Sequence, residues 1–284
     1  MKAKALCATV LTAVIAASLV GGVTASADTV QKSLAGKGTV EYVEDTGSNG
    51  KLDPEDENKE VTPKDENDVT ENPSTGFGSI TIDRVAALNF GQQKVSTKTE
   101  TYAAKEINLS QTDLDGATPV DVVRGPFVQW TDKRAGADHT YAVKAELTKQ
   151  FTLKGAAADP AKLNKATLRY TNGVLNSTQK ELPLWPAGNP NNLELAFGEG
   201  NAAAGPQLVL DNTTSTGAVG LGTYTAEYGQ SADFTAAKIA REGAPTTGIG
   251  QASNSVFLDV PAQTIELGTY EAEITWSIEY TPVA

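Results

Sequence analysis

YEAEITWSIEY, residues Tyr270 to Tyr280, alternates without a break. Tyr270, Ala272, Ile274, Trp276, Ile278 and Tyr280 fall on one side, and Glu271, Glu273, Thr275, Ser277 and Glu279 on the other. A period of two marks a β-strand with one face packed and the other in water. Trp276 and Ile278 are therefore expected in the interior first, and in contact with any ligand second. The same texture runs back through the chain: Ile80 and Ile82; Tyr141, Val143, Ala145 and Leu147; Ala166, Leu168 and Tyr170; Leu193, Leu195 and Phe197; Leu208 and Leu210; Tyr224, Ala226 and Tyr228; Val256, Leu258 and Val260. Gly, Asn, Asp and Pro separate these runs. Many short alternating strands with turn residues between them predict an all-β chain, an antiparallel sandwich or barrel-like domain. One short helix is expected, from about Ala232 to Arg241, with Ser231 as its N-cap and Gly243 ending it.

The front of the chain reads differently. Lys2 and Lys4 precede an apolar run from Ala5 to Val20, and Ala25-Ser26-Ala27 follows it, the pattern of a secretory signal peptide cut after Ala27. The one cysteine, Cys7, lies inside that run, so a mature chain without thiol, disulfide or lipid anchor is expected. From Glu41 to Asn72 Asp, Glu, Asn, Pro, Thr and Gly dominate, and too few apolar side chains are present to offset backbone ordering. That predicts a solvated acidic linker, with Thr39 to Glu44 as a short edge strand ahead of it. The expected division is 1–27 signal peptide, 28–75 acidic strand and linker, and 76–284 β domain. The formal net charge of −12 argues against nucleic acid, which needs a basic stripe. No later apolar run is long enough to span a bilayer and no sorting tail ends the chain, so retention at a surface is expected to be non-covalent.

Several stretches, in order, resemble the WxL domain of Gram-positive surface proteins, and together they cover most of Gly76 to Pro282. Gly78-Ser79-Ile80-Thr81-Ile82-Asp83 with Leu88-Asn89-Phe90-Gly91 is similar to that family's opening sequence. Val128 to Arg134 resembles its Val-x-Val-x-Asp-x-Arg stretch, and Gly222 to Gly229 its internal Gly-Thr-Trp segment. Leu258-Asp259-Val260-Pro261 and Gly268 to Ile278 fall where the family has its closing hairpin. Three positions depart from the pattern. The first signature motif is represented by Tyr141-Ala142-Val143, Ile278 stands where Leu is usual in the second, and Ala135 replaces a Gly. An aromatic and an aliphatic side chain at i and i+2 survive in both motifs, which keeps the core role of Tyr141, Val143, Trp276 and Ile278. The resemblance implies a secreted protein held non-covalently on peptidoglycan, working with a partner surface protein encoded beside it.

Catalytic chemistry finds little support in the residues. The sole histidine, His139, lacks a Gly-x-Ser-x-Gly elbow near it and is expected in a loop beside the strand from Tyr141. Carboxylates are abundant, but their pairing is spatial, so a wall-active glycan hydrolase stays an alternative to the non-enzymatic reading. A protein–protein adaptor or adhesin without wall affinity is the other. Asp45 to Asp56 has a partial calcium-loop spacing, yet Gly47 and Asp56 stand where an EF-hand needs ligands; no metal and no cofactor is expected. For a glycan ligand the candidate contacts are Trp130, Trp185 between Pro183 and Pro186, and the basic pair Lys133 and Arg134.

Overall fold

The structure, a computed structural model, describes residues 37–43, 45, 47, 49–72, 78–113, 118–136, 138–155, 160–197, 204–234 and 247–280. The expected signal peptide and the expected helix beyond Phe234 lie outside the described residues. The chain divides into two units, Met1–Tyr42 and Val43–Ala284. In the first, residues 37–42 take no regular structure, and Val40 and Tyr42 are exposed. Of the strand expected from Thr39 to Glu44, residues 39–43 take no regular structure, and Glu44 lies outside the described residues.

The second unit is all β: among the described residues four antiparallel sheets are built, and the only helical turn is the short 3-10 turn Leu182–Leu184. One sheet has the order β1 (Leu52–Asp53), β2 (Asp56–Pro63), β6 (Ile107–Asp113), β7 (Val120–Arg124). Another runs β11 (Gly173–Ser177), β14 (Gly222–Tyr228), β8 (Phe127–Asp132), β4 (Ile80–Ala86), β3 (Val69–Glu71). A third runs β12 (Leu193–Ala196), β10 (Thr167–Tyr170), β15 (Val256–Val260), β5 (Glu100–Ala103). The last is β13 (Gln207–Asp211), β9 (Ala142–Leu153), β16 (Tyr270–Glu279). The alternating runs read from the sequence account for β4, β9, β10 and β12 to β16. Their apolar faces meet in one large core containing Trp130, Tyr141, Val143, Leu168, Tyr224 and Tyr228.

The acidic segment is not a linker. β2 pairs with β6 and β3 pairs with β4, and Val61 and Val69 join Ala86, Ile107, Leu109 and Phe127 in a second core. Residues 50–55 lie against the polar face of the five-stranded sheet. Gln129 donates to the Gly50 carbonyl at 2.8 Å and accepts the Leu52 N–H at 3.0 Å, and Asn176 donates to the Pro54 carbonyl at 3.1 Å. Asp53 and Glu55 are fully buried and meet Arg124. The guanidinium binds both oxygens of Asp53 at 2.6 Å and comes within 3.3 Å of Glu55. Composition misleads here because a few well-placed apolar residues fill the second core, while the carboxylates find buried partners in place of water.

The same contact explains why β8, β11 and β14 are buried on both faces. Gln129, Thr131, Asn176, Thr225 and Glu227 alternate with apolar residues and would read as a solvent face, yet all are enclosed. Glu227 accepts the Gly125 N–H at 2.9 Å. Gly125 has no room for a Cβ beside the Gly229 carbonyl, so β7 turns into β8 at a point of close backbone approach. Burial pushes the Glu227 carboxyl well above its ordinary range, and the neighbouring Glu55 adds to the shift. Glu55 is raised chiefly by burial, against the pull of Arg124 and Ser231.

Candidate functional site

Both signature segments end up side by side. β16 pairs with β9 so that Ile278 faces Val143 and Trp276 faces Ala145. Tyr141 lies at the mouth of β9, fully buried, where its hydroxyl accepts the Trp130 indole N–H at 3.1 Å. Burial raises the Tyr141 phenol well above its ordinary value. Val143 is enclosed, as the sequence predicts. Trp276 and Ile278 are only half-buried, as are Tyr270, Ala272 and Ile274 on the same face.

The half-exposure has a structural cause. β16 is the edge of its sheet and pairs with β9 alone among the described residues. Its apolar face opens into a cleft of about 1180 Å³, whose other walls carry Leu88 and Phe90 after β4, Tyr102 of β5, Leu258 of β15, and Ile265 and Leu267. Phe151 of β9 meets Phe90 edge to face at 6.1 Å, and Trp276 meets Tyr170 edge to face at 5.9 Å. The Trp276 indole N–H is enclosed and has no acceptor among the described residues. The rim is acidic: Asp65, Asp68, Glu266, Glu271 and Glu273 line it, with Lys94 as its lysine. Burial, then the nearby Asp65, pushes the Asp68 carboxyl up, and Lys105 opposes the shift. Glu271 is paired with Lys154 at 2.6 Å.

The residues expected to touch a ligand lie elsewhere. Trp130 is fully buried and stacked on Tyr224 at 5.9 Å. Trp185 is also buried: the Leu182–Leu184 turn carries it inward, its indole donates to the Gln179 carbonyl at 2.8 Å, and its ring meets Tyr224 edge to face. Flanking prolines made Trp185 look like a surface loop, but they shape the turn that buries it. Neither indole offers a face to a sugar. Lys133 is tied to Asp45 at 3.2 Å and to the Gly47 carbonyl at 2.8 Å. Arg134 is paired with Asp132 at 2.7 Å and lies 4.9 Å from the Tyr280 ring. The pair is a structural clamp, not an open basic patch. His139 lies in the loop before β9 but is buried, its Nδ1 3.2 Å from Asp132. Sequence reasoning missed Phe90, Tyr102 and Phe151 as cleft residues. The Leu88-Asn89-Phe90-Gly91 stretch was a usable signal, since it is aromatic and follows a strand without continuing its alternation.

A family model described as WxL domain, surface cell wall-binding, matches residues 29–282. The chain belongs to the WxL family. No curated protein and no solved structure matches it. The WxL match begins ahead of β1, in keeping with the acidic segment being part of the fold. WxL domains are surface binding domains, and in this member both signature segments converge on the sheet that borders the cleft.

Proposed function

We propose that this protein is secreted, attaches non-covalently to the peptidoglycan of a Gram-positive wall through the cleft beside Trp276, and there assembles with a partner surface protein. It does so without catalysis. The observation that carries the reading is the cleft itself: an apolar, aromatic-lined concavity bordered by the family's signature strand, on a domain of a wall-binding family. Concave apolar sites with polar groups at the margin are the usual form of a binding site. Its half-buried aromatics offer contact area that a monomer with no ligand would be expected to cover.

The test is sedimentation of the secreted chain with purified, protein-stripped peptidoglycan. The protein should pellet with the polymer and release no soluble sugar, and Phe90→Ser with Tyr102→Ser should leave it in the supernatant. Release of sugar would make it a hydrolase. Failure of the unaltered chain to pellet would leave an adaptor that reaches the wall only through its partner.

A further inference from the structure

Three features of the cleft bear on what part of the wall it takes. The first is the open edge. β16 runs for ten residues with its outer N–H and C=O groups free of backbone partners among the described residues, and such an edge is a template for another peptide chain. β4 packs beside β16 for part of its length, and a four-residue peptide would take up about 13 Å of β16 at roughly 3.3 Å per residue. Second, aliphatic and aromatic side chains, among them Leu88, Leu258, Ile265 and Ile274, supply a large part of the lining, beside Asn89, Gln92, Gln93 and the charged residues. A glycan chain, carrying hydroxyls all round, would leave unpaired those that fall on these apolar residues. Third, the rim carries Asp65, Asp68, Glu266 and Glu273, none of them in an ion pair among the described residues, against Lys94 and the nearby Lys105, which acts on Asp68.

Resting on the reading that the wall is the ligand, we infer that the cleft binds the peptide moiety of peptidoglycan, laid along the β16 edge with its alanine methyls on the apolar floor and a free ammonium group at the acidic rim. Backbone amides satisfy the edge, and methyl groups need no hydrogen bonds. The ammonium supplies the charge that the rim lacks.

Sedimentation of the full secreted chain is compared on three polymers: intact peptidoglycan, the same material stripped of its peptides by an amidase, and intact material whose amino groups have been acetylated. Binding to the first should fall by roughly tenfold or more on the second and third, and the double variant Glu266→Lys/Glu273→Lys should lose a similar factor on intact polymer while melting as before. Amide exchange with a soluble muropeptide should slow within residues 270–279. Undiminished binding to the stripped glycan overturns the inference and assigns the cleft to sugar. Undiminished binding to the acetylated polymer, or protection confined to other strands, overturns it as well. A chain that ignores intact peptidoglycan altogether removes the wall reading along with it, a result distinct from the other three. Should the double variant fail to fold, the acetylated polymer still decides the matter.

Discussion

Replacing Arg124 with methionine should cost the protein about 3–5 kcal/mol, the usual consequence of removing one partner from a buried ion cluster. The figure follows from the surroundings. Arg124 is the cation that binds both oxygens of Asp53 at 2.6 Å and approaches Glu55 at 3.3 Å, and Glu227 also feels its charge. All three carboxylates are fully buried, so water cannot replace the guanidinium. Methionine fills much of the volume and leaves the charge uncompensated, which isolates the electrostatic contribution from the packing one. At about 2–4 °C per kcal/mol for a domain of this size, the melting midpoint should fall by roughly 6–20 °C. Urea unfolding followed by tryptophan fluorescence reads it well, because Trp130, Trp185 and Trp276 all lie in the large core or against it. Deleting Asp45 to Asn72 should do more, since it removes Leu52, Val61 and Val69 together with the docked carboxylates. A midpoint unchanged by either alteration would refute the docking and return the acidic segment to the solvated linker that its composition suggests.

Glu227→Gln should raise stability at neutral pH. The folded-state pKa values of Glu227 and Glu55 are raised above the ordinary 4.5, so their stabilising contribution is full below that value and is lost as pH rises through the raised values. Unaltered protein should therefore gain stability on acidification toward pH 4.5, by up to about 1.4 kcal/mol per pH unit for each group, and Glu227→Gln should flatten that slope in thermal melts across the range. A steeper slope in the variant would contradict the assignment. Trp276→Phe removes an indole N–H that has no acceptor among the described residues and should cost less than about 1.5 kcal/mol, whereas Trp276→Ala should cost about 1.5–3 kcal/mol, less than a fully enclosed aromatic would. Equal losses in urea titrations of the two would mean that the N–H is satisfied after all. Tyr141→Phe leaves the buried Trp130 N–H without its acceptor and should cost about 1–3 kcal/mol by the same measurement; no loss would show that another acceptor takes over.

Much of the fold was legible because alternation is a local property. Tyr141 to Leu147 and Tyr270 to Tyr280 announce strands from their own residues, and the interior places of Tyr141 and Val143 follow from which side of the strand they occupy. Local alternation was enough to mark the chain as β, to locate half of the sixteen strands among the described residues and to give their apolar faces. What covers the other face depended on contacts made only on folding. Gln129, Asn176, Thr225 and Glu227 look like solvent-facing residues until residues 50–55 are laid across them, and nothing local to either segment records that contact. The partnership between Asp53 and Arg124 spans 71 residues of chain, and opposite charges that far apart leave no periodicity to read. The two signature segments met the same limit from the other side. Their shared strand pattern predicts burial for both, but β9 lies between two neighbours and β16 at an edge, so Val143 is sealed while Trp276 opens on the cleft. A side chain's facing is set by the residues beside it in sequence; its exposure is set by which strand comes to lie next to it in space.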